Sequence, residues 1–327
     1  MQDIADRVHV SRSTVSLVLS GKAGSRVSEA VKKKVRQAAR ELNYQINDVA
    51  RSLRTGASNL IGVAVTDMSN EYYGRLACWI QEAAEQVGYL VLTTNTNEDP
   101  RHFEEMARVL VGKKVDGIIA VPPPGGEEAV RLIHEMGMPI VTVGRQCEGV
   151  DVGFVGIDNY AAARAAVEDL LDDGFERVSV IALDLDIREF NQRRDAYVDA
   201  MKARGLDEYI DIRLIPFGVE KELQLATVFR GLRNSDAVFF TSRRAFTQSM
   251  AQLAWTGQRL PERQCLLCFD DVQPFLTLHS DIRYVEQPVE EMARKAFELL
   301  IGQIHGVAVP GTRIYPTRYI STRKFNL

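Results

Sequence analysis

The run Ser11-Arg12-Ser13-Thr14-Val15-Ser16-Leu17-Val18-Leu19-Ser20, closed by Gly21, constrains the start of the chain more tightly than any other stretch. Ser11 is suited to accept a hydrogen bond from an orphan amide of a first helical turn. Gly21 stands where helices commonly end in a left-handed conformation. Val15, Val18 and Leu19 recur at i, i+3 and i+4, one buried stripe of a short helix. Upstream, Asp3 to Val8 reads as a second short helix, with Ile4, Ala5 and Val8 on its inner face. Only His9 and Val10 separate the two, so they must cross steeply. A helix, a tight turn and a capped helix describe a helix-turn-helix. Such a second helix fits the major groove of DNA, and residues near its N-terminus reach base edges. The outward residues here are Arg12, Ser13 and Ser16, with Leu17 further along.

Charge supports that reading. Residues 1–56 carry 11 Lys and Arg against 5 Asp and Glu, a net of +6. The whole chain of 327 residues has 40 and 44, so 29 and 39 remain beyond residue 56, a net of −10. A basic module on an acidic body is the electrostatic footprint expected of a DNA-binding head. No stretch approaches the roughly 18 consecutive apolar residues of a membrane span. The N-terminus lacks the apolar core of a signal peptide, so a cytoplasmic protein with no membrane partner is expected.

Ile4-Ala5, Val10-Ser11, Ser13-Thr14-Val15-Ser16 and Val18-Leu19 together resemble the N-terminal signature of the LacI/GalR family of bacterial transcriptional regulators. Ala50-Arg51-Ser52-Leu53-Arg54-Thr55 is similar to that family's hinge, and the resemblance continues more weakly to about residue 321. It implies a homodimer on double-stranded operator DNA, responding to a small-molecule effector. It also implies that the hinge folds on the operator, with Leu53 as an apolar wedge in the minor groove and Arg54 following it. Such a wedge costs a few kcal/mol of unstacking, offset by contacts that the bent DNA allows. The alternative is an ordinary linker helix with Leu53 in a core.

From Leu60 the texture changes to alternating short apolar runs and helical periodicity. Strands are expected at Leu60–Val65, Tyr89–Thr94, Gly117–Val121, Pro139–Val143 and Phe154–Ile157, with helices between them. A second set follows at Val178–Leu183, Ile212–Pro216, Ala237–Thr241 and Cys265–Phe269, with helices near Arg193–Arg204, Lys221–Leu232 and Ala245–Gly257. Strand–helix alternation of this kind builds parallel, doubly wound units. The fold expected is therefore an all-α helix-turn-helix head plus an α/β effector domain of two doubly wound parallel-sheet subdomains, periplasmic-binding-protein-like. The boundaries expected are 1–43 for the head, 44–59 for hinge and linker, and 60–327 for effector binding and dimerisation. Within the last, one subdomain takes 60–158 plus 286–303 and the other 159–285 plus 304–327.

In open α/β sheets, ligands bind beyond the carboxyl ends of strands. Those ends present Asp67 with Tyr72-Tyr73, then Asp158-Asn159, Ser242-Arg243 and Asp270-Asp271, and Arg193 opens a helix facing the same crevice. The resemblance carries effector-binding roles to Tyr72, Tyr73, Asp158, Arg193 and Asp270. Where the family usually has Asn-Asp, this chain has Ser242-Arg243. A change from Asp to Arg swings the local charge by two units, which suits a phosphosugar or other anionic metabolite better than a neutral sugar. The competing reading has Arg243 paired with a neighbouring acid such as Asp270 or Asp271, leaving a neutral ligand to bind.

Other classes find little support. There is no Walker loop, G-x-S-x-G, H-E-x-x-H or glycine-rich dinucleotide turn, so neither an enzyme nor a cofactor is indicated. Cys265 and Cys268 read as C-x-x-C, but in an apolar strand they point to opposite faces and suit no common metal. A solute-binding or sensor protein of the same fold that does not bind DNA would leave the basic head unexplained.

Leu17 departs from the family, which usually carries arginine there, and leucine offers only apolar contact, for instance to a thymine methyl. Leu17→Arg is expected to shift preference toward operators with guanine at the facing position, by about 1–3 kcal/mol if a bidentate pair forms. In-vitro selection of binding sites checks this, and an unchanged base preference would remove Leu17 from the reading surface.

Overall fold

A computed structural model of the chain describes residues 1–19, 23–42, 44, 57–217, 232–258, 260–261, 263–277, 279–307 and 311–322. The hinge with Leu53 and Arg54, the helix terminator Gly21 and most of the helix expected over Lys221–Leu232 lie outside those residues. The chain divides into two compact units, Met1–Ser58 and Asn59–Leu327.

Among its described residues the first unit has three α-helices, α1 (Gln2–Val8), α2 (Arg12–Leu19) and α3 (Glu29–Glu41). His9 ends α1 in the left-handed region at φ 55°, its amide donating to the Ala5 and Asp6 carbonyls. Histidine tolerates that conformation better than most residues. Ser11 caps α2, its hydroxyl accepting from the Thr14 amide at 3.1 Å, and Ser28 caps α3 by accepting from Val31 at 3.4 Å. Ile4, Ala5, Val15, Val18, Val35, Ala38 and Ala39 make the core. Leu42, which the periodicity places inward, is exposed because α3 ends at Glu41.

The second unit holds two six-stranded sheets. The first contains β1 (Leu60–Val65), β2 (Leu90–Asn95), β3 (Gly117–Ala120), β4 (Ile140–Val143), β5 (Gly153–Ile157) and β11 (Thr312–Tyr315), in the order β11-β5-β4-β3-β1-β2. Between them run α4 (Glu71–Gln86), α5 (Pro100–Gly112) and α6 (Glu127–Glu135). The second contains β6 (Val178–Leu183), β7 (Asp211–Ile215), β8 (Ala237–Phe240), β9 (Cys265–Phe269), β10 (Ile282–Glu286) and β12 (Arg318–Ser321), in the order β12-β10-β9-β8-β6-β7. Its helices include α7 (Asn159–Asp172), α8 (Arg188–Ala203) and α9 (Arg243–Trp255). Registers such as Ile61 with Gly117 and Val178 with Ala237 are parallel, and β12 alone is antiparallel, against β10. Central strands are buried on both faces, which is why they read as continuous apolar runs. Cys265 and Cys268 are both buried, one in each of two separate cores on opposite faces of β9. No helix among the described residues is long and apolar enough to cross a membrane.

The chain passes between subdomains at three places, after β5, after β10 and between β11 and β12. The helix α10 (Val289–Ile304) packs on the first sheet and against α4. Two sequence boundaries therefore need correction. The segment 304–327 is not one piece of the second subdomain: Thr312–Tyr315 pairs with β5 in the first sheet, and Arg318–Ser321 crosses to the second. Strand β10 has no counterpart in the sequence reading, because Arg283 and Glu286 interrupt its apolar pattern.

Arg283 is only 1% exposed, and its burial is compensated. It donates to Asp169 at 2.8 Å, Asp173 at 2.7 Å and Asp281 at 3.2 Å, over the Phe175 ring at 5.4 Å. Asp169 also accepts from the Tyr319 hydroxyl at 2.6 Å, so the guanidinium ties α7, β10 and β12 together. Asp169 and Asp173 are partly open to water, so the loss is on the scale of charge-assisted hydrogen bonds, and Arg283→Ala is expected to lower the unfolding free energy by about 1.5–3 kcal/mol. Urea unfolding of the full chain checks this, and a loss below about 1 kcal/mol, the scale of an exposed pair, would contradict it.

Candidate functional site

In the head, the exposed face of α2 presents Arg12 and Ser13, with Ser16 half-buried beside them. The Ser13 hydroxyl lies 2.7 Å from that of Ser11, which ties it into the capping turn. Leu17 is half-buried and packs partly against the head core. It is thus less outward than the helix spacing alone suggests. Lys33, Lys34, Arg36 and Arg40 are exposed on α3, whereas Lys32 pairs with Glu29 at 2.6 Å.

In the second unit, both sheets point the carboxyl ends of their strands into one crevice lined from both subdomains. Crevices at the carboxyl ends of strands are where open α/β sheets take small molecules. From the first subdomain, Asn70 caps α4 by accepting from the Tyr72 amide at 3.2 Å, which starts the helix and aims Tyr72 and Tyr73 inward. Their rings meet edge to face with centroids 5.0 Å apart. Burial pushes both phenols above the ordinary tyrosine range, so both are neutral donors. Gly144 lines the same wall at φ +73°, where a Cβ would stand 3.1 Å from the Tyr72 hydroxyl. Lack of a side chain there lets the tyrosine reach across.

Arg193 lies on the floor of the crevice. Its Nε and Nη2 donate to Asn159 Oδ1 at 2.9 and 2.8 Å, and Nη1 donates to the Thr241 carbonyl at 2.7 Å. The guanidinium sits 3.7 Å from the centre of the Phe269 ring. Burial lowers its proton affinity, an effect opposed by the negative charges of Asp270 and Glu189. Asp270 follows β9 with φ +91°, a region that non-glycine residues rarely occupy. It accepts from the Gln287 side-chain amide and, at 3.3 Å, from the Arg243 amide. Burial raises its pKa, with Arg193 the leading opposing influence.

Two residues assigned to the cleft by sequence do not reach it. Asp158 is exposed, and its carboxylate caps α7 by accepting from the Ala161 amide at 2.8 Å. The next residue, Asn159, is the buried one that holds Arg193. Arg243 turns away to the lip, where it donates to Glu71 and to the Asp271 carbonyl. Arg244, one position on, lines the crevice instead.

The sequence reading missed Arg145, Glu98 and Glu189. Arg145 and Glu98 follow β4 and β2, so the same rule about strand ends points to them. Arg145 donates to both Glu98 oxygens at 2.6 and 2.7 Å, to the Tyr73 hydroxyl at 3.0 Å and to the Pro122 carbonyl at 3.1 Å. Burial works against its charge, but Tyr73 and Glu98 outweigh it and hold the pKa above the ordinary arginine value. The two cations deepest in the crevice are thus already engaged by protein acceptors. The rest of the wall is a mixture of neutral phenols, carboxylates, an aromatic edge from Phe190 and the Arg244 guanidinium, which donates to Ser69 at 3.1 Å.

Comparison with known proteins agrees with both units. Residues 1–51 match the family described as bacterial regulatory proteins, lacI family. Residues 58–227 match periplasmic binding proteins and sugar binding domain of LacI family, and 167–324 match a periplasmic binding protein-like domain. Catabolite control protein A of Staphylococcus epidermidis is 27% identical over 300 residues, covering 91% of this chain and 90% of that protein. The HTH-type transcriptional regulator PtxS of Pseudomonas aeruginosa is 27% identical over 330 residues, covering 98% and 94%. The lac repressor dimer bound to operator and the anti-inducer ONPF is 19% identical, with a TM-score of 0.78 over 97% of this chain and 96% of that one. At that identity the likeness is one of fold.

Proposed function

The chain belongs to the LacI/GalR family of bacterial transcriptional regulators, and we propose that it is a cytoplasmic, homodimeric repressor whose cleft takes a neutral, polyhydroxylated effector of the sugar class. It is an effector-responsive DNA-binding regulator and not an enzyme. The observation that carries the effector class is the engagement of Arg145 by Glu98 and of Arg193 by Asn159 and Thr241. An anionic ligand would have to displace a buried carboxylate from Arg145, leaving that charge without a partner, which is costly. The anionic reading rested on Arg243, whose guanidinium is paired at the lip. A sugar needs only donors and acceptors for its hydroxyls and a ring face for its body, supplied by Tyr72, Tyr73, Asp270, Glu189 and Phe190.

On the DNA side, Arg12, Ser13 and Ser16 read base edges in the major groove, Leu17 adds apolar contact, and Leu53 with Arg54 enters the minor groove between half-sites. The lac repressor that this chain resembles is a dimer on operator, which supports a two-fold symmetric site here as well.

Footprinting with the full chain should protect a pseudo-palindromic site, one half-site per head and the hinge pair at the centre. Leu53→Ala should weaken specific binding and reduce DNA bending while leaving the melting temperature of the DNA-free chain nearly unchanged. Protection of one asymmetric half-site, or a lowered melt with DNA affinity intact, would contradict these assignments.

A further inference from the structure

Four charged groups from the two subdomains meet at one lip of the cleft, around a narrow gap that they line together. Glu71 and Arg75 lie one turn apart on α4 in the first subdomain. Arg243 opens α9, and Asp271 follows β9, both in the second. Arg243 donates to Glu71, and Arg75 donates to Asp271 at 2.9 Å, so both ion pairs span the cleft. Arg243 also donates to the Asp271 carbonyl and has the Phe275 ring 5.6 Å away, both within its own subdomain.

The two lips are unequal. On the far side, Arg188 meets Glu148 at 3.1 Å with side chains 46% and 75% exposed. Pairs this exposed are screened and contribute little. On the near side each pair joins a shielded group to a more open one, Arg243 at 9% with Glu71 at 46% and Asp271 at 17% with Arg75 at 38%, so screening is partly relieved. Arg244 adds a third tie there, donating to Ser69 at 3.1 Å.

The spacing of the four groups gives each a second partner. Glu71 and Arg75 stand at i and i+4 with the acid N-terminal to the base, the arrangement that pairs well along a helix. Asp271 and Arg243 are already neighbours within the second subdomain. Opening the cleft would therefore exchange two cross-cleft pairs for two pairs inside the subdomains, stranding no charge in either state. We propose that Glu71, Arg75, Arg243 and Asp271 form a partner-exchanging ionic latch that holds the cleft closed before any effector binds. An effector then acts on an equilibrium the latch already biases, and shifts it only by its differential affinity for the two states. Only this consequence rests on the reading of the cleft as an effector site, and the latch is testable with neither effector nor DNA.

Nitroxide labels on Met136→Cys and Glu208→Cys, in a Cys78→Ser background, report one subdomain against the other; both positions are exposed, and Cys147, Cys265 and Cys268 are buried. Labelled full chain is diluted into an excess of unlabelled chain, so that distances within one chain dominate in pulsed electron–electron double resonance. At low salt the parent should give a dominant short distance with a minor long one. Glu71→Gln and Arg75→Gln each remove one cross-cleft pair, and each should raise the ratio of long to short distances about threefold, the scale of one such pair. Both residues lie on the solvent side of α4, and circular dichroism should show each variant folded. Glu82→Gln removes the Glu82–Arg294 pair, which lies within the first subdomain, and should leave the distances unchanged. A parent dominated by the long distance overturns the latch, as do the parent's distribution in both lip variants or an equal shift from Glu82→Gln.

Discussion

The cleft depends on one desolvated guanidinium. Burial alone drives an arginine toward losing its proton or finding compensation, and Arg193 finds compensation in three elements at once. Asn159 begins α7 just after the chain leaves the first sheet, Thr241 follows β8, and Phe269 ends β9. Holding Asn159 Oδ1 and the Thr241 carbonyl while covering the Phe269 ring fixes the crossover against the ends of two strands. The crevice floor is therefore rigid where the subdomains join. Its walls are the parts that can move.

That division separates two uses of charge. Inside the crevice, Arg145 and Arg193 are engaged by protein acceptors, so they shape the wall. At the lip, Arg243 and Arg75 pair across the gap with groups less deeply buried, where exchange of partners is cheap. The same residue type thus acts as scaffold below and as a conformational element above. The difference lies in how many acceptors each guanidinium meets and how much water reaches them.

Much of this was legible in the sequence. The helix-turn-helix was, because the Ser11 cap and the 3.6-residue stripe of α2 are local signals that tertiary packing did not override. Most central strands of both sheets were, because burial on two faces demands continuous apolar runs. Strand β10 was not, since Arg283 is buried through acids on α7 more than a hundred residues away in sequence. The division of the C-terminal segment between sheets also depends on partners remote in sequence. At the cleft, sequence erred by single positions, with Asp158 taken for Asn159 and Arg243 for Arg244. Adjacent residues at a helix start point about 100° apart, and which of them faces the ligand depends on how the helix is rolled on its sheet. Arg145 and Glu98 were discoverable by the strand-end rule, but their mutual pairing was not.

The central claim is that a neutral ligand in the cleft is energetically coupled to operator held by the heads. Calorimetric titration of sugars and of their phosphate esters into the full chain, with and without operator, tests it most directly. The account predicts that a neutral sugar binds in preference to its phosphate ester, with affinity differing about 5- to 150-fold between the DNA-free and operator-bound chain. Binding by the phosphate ester alone, or equal affinity in both states, would contradict it.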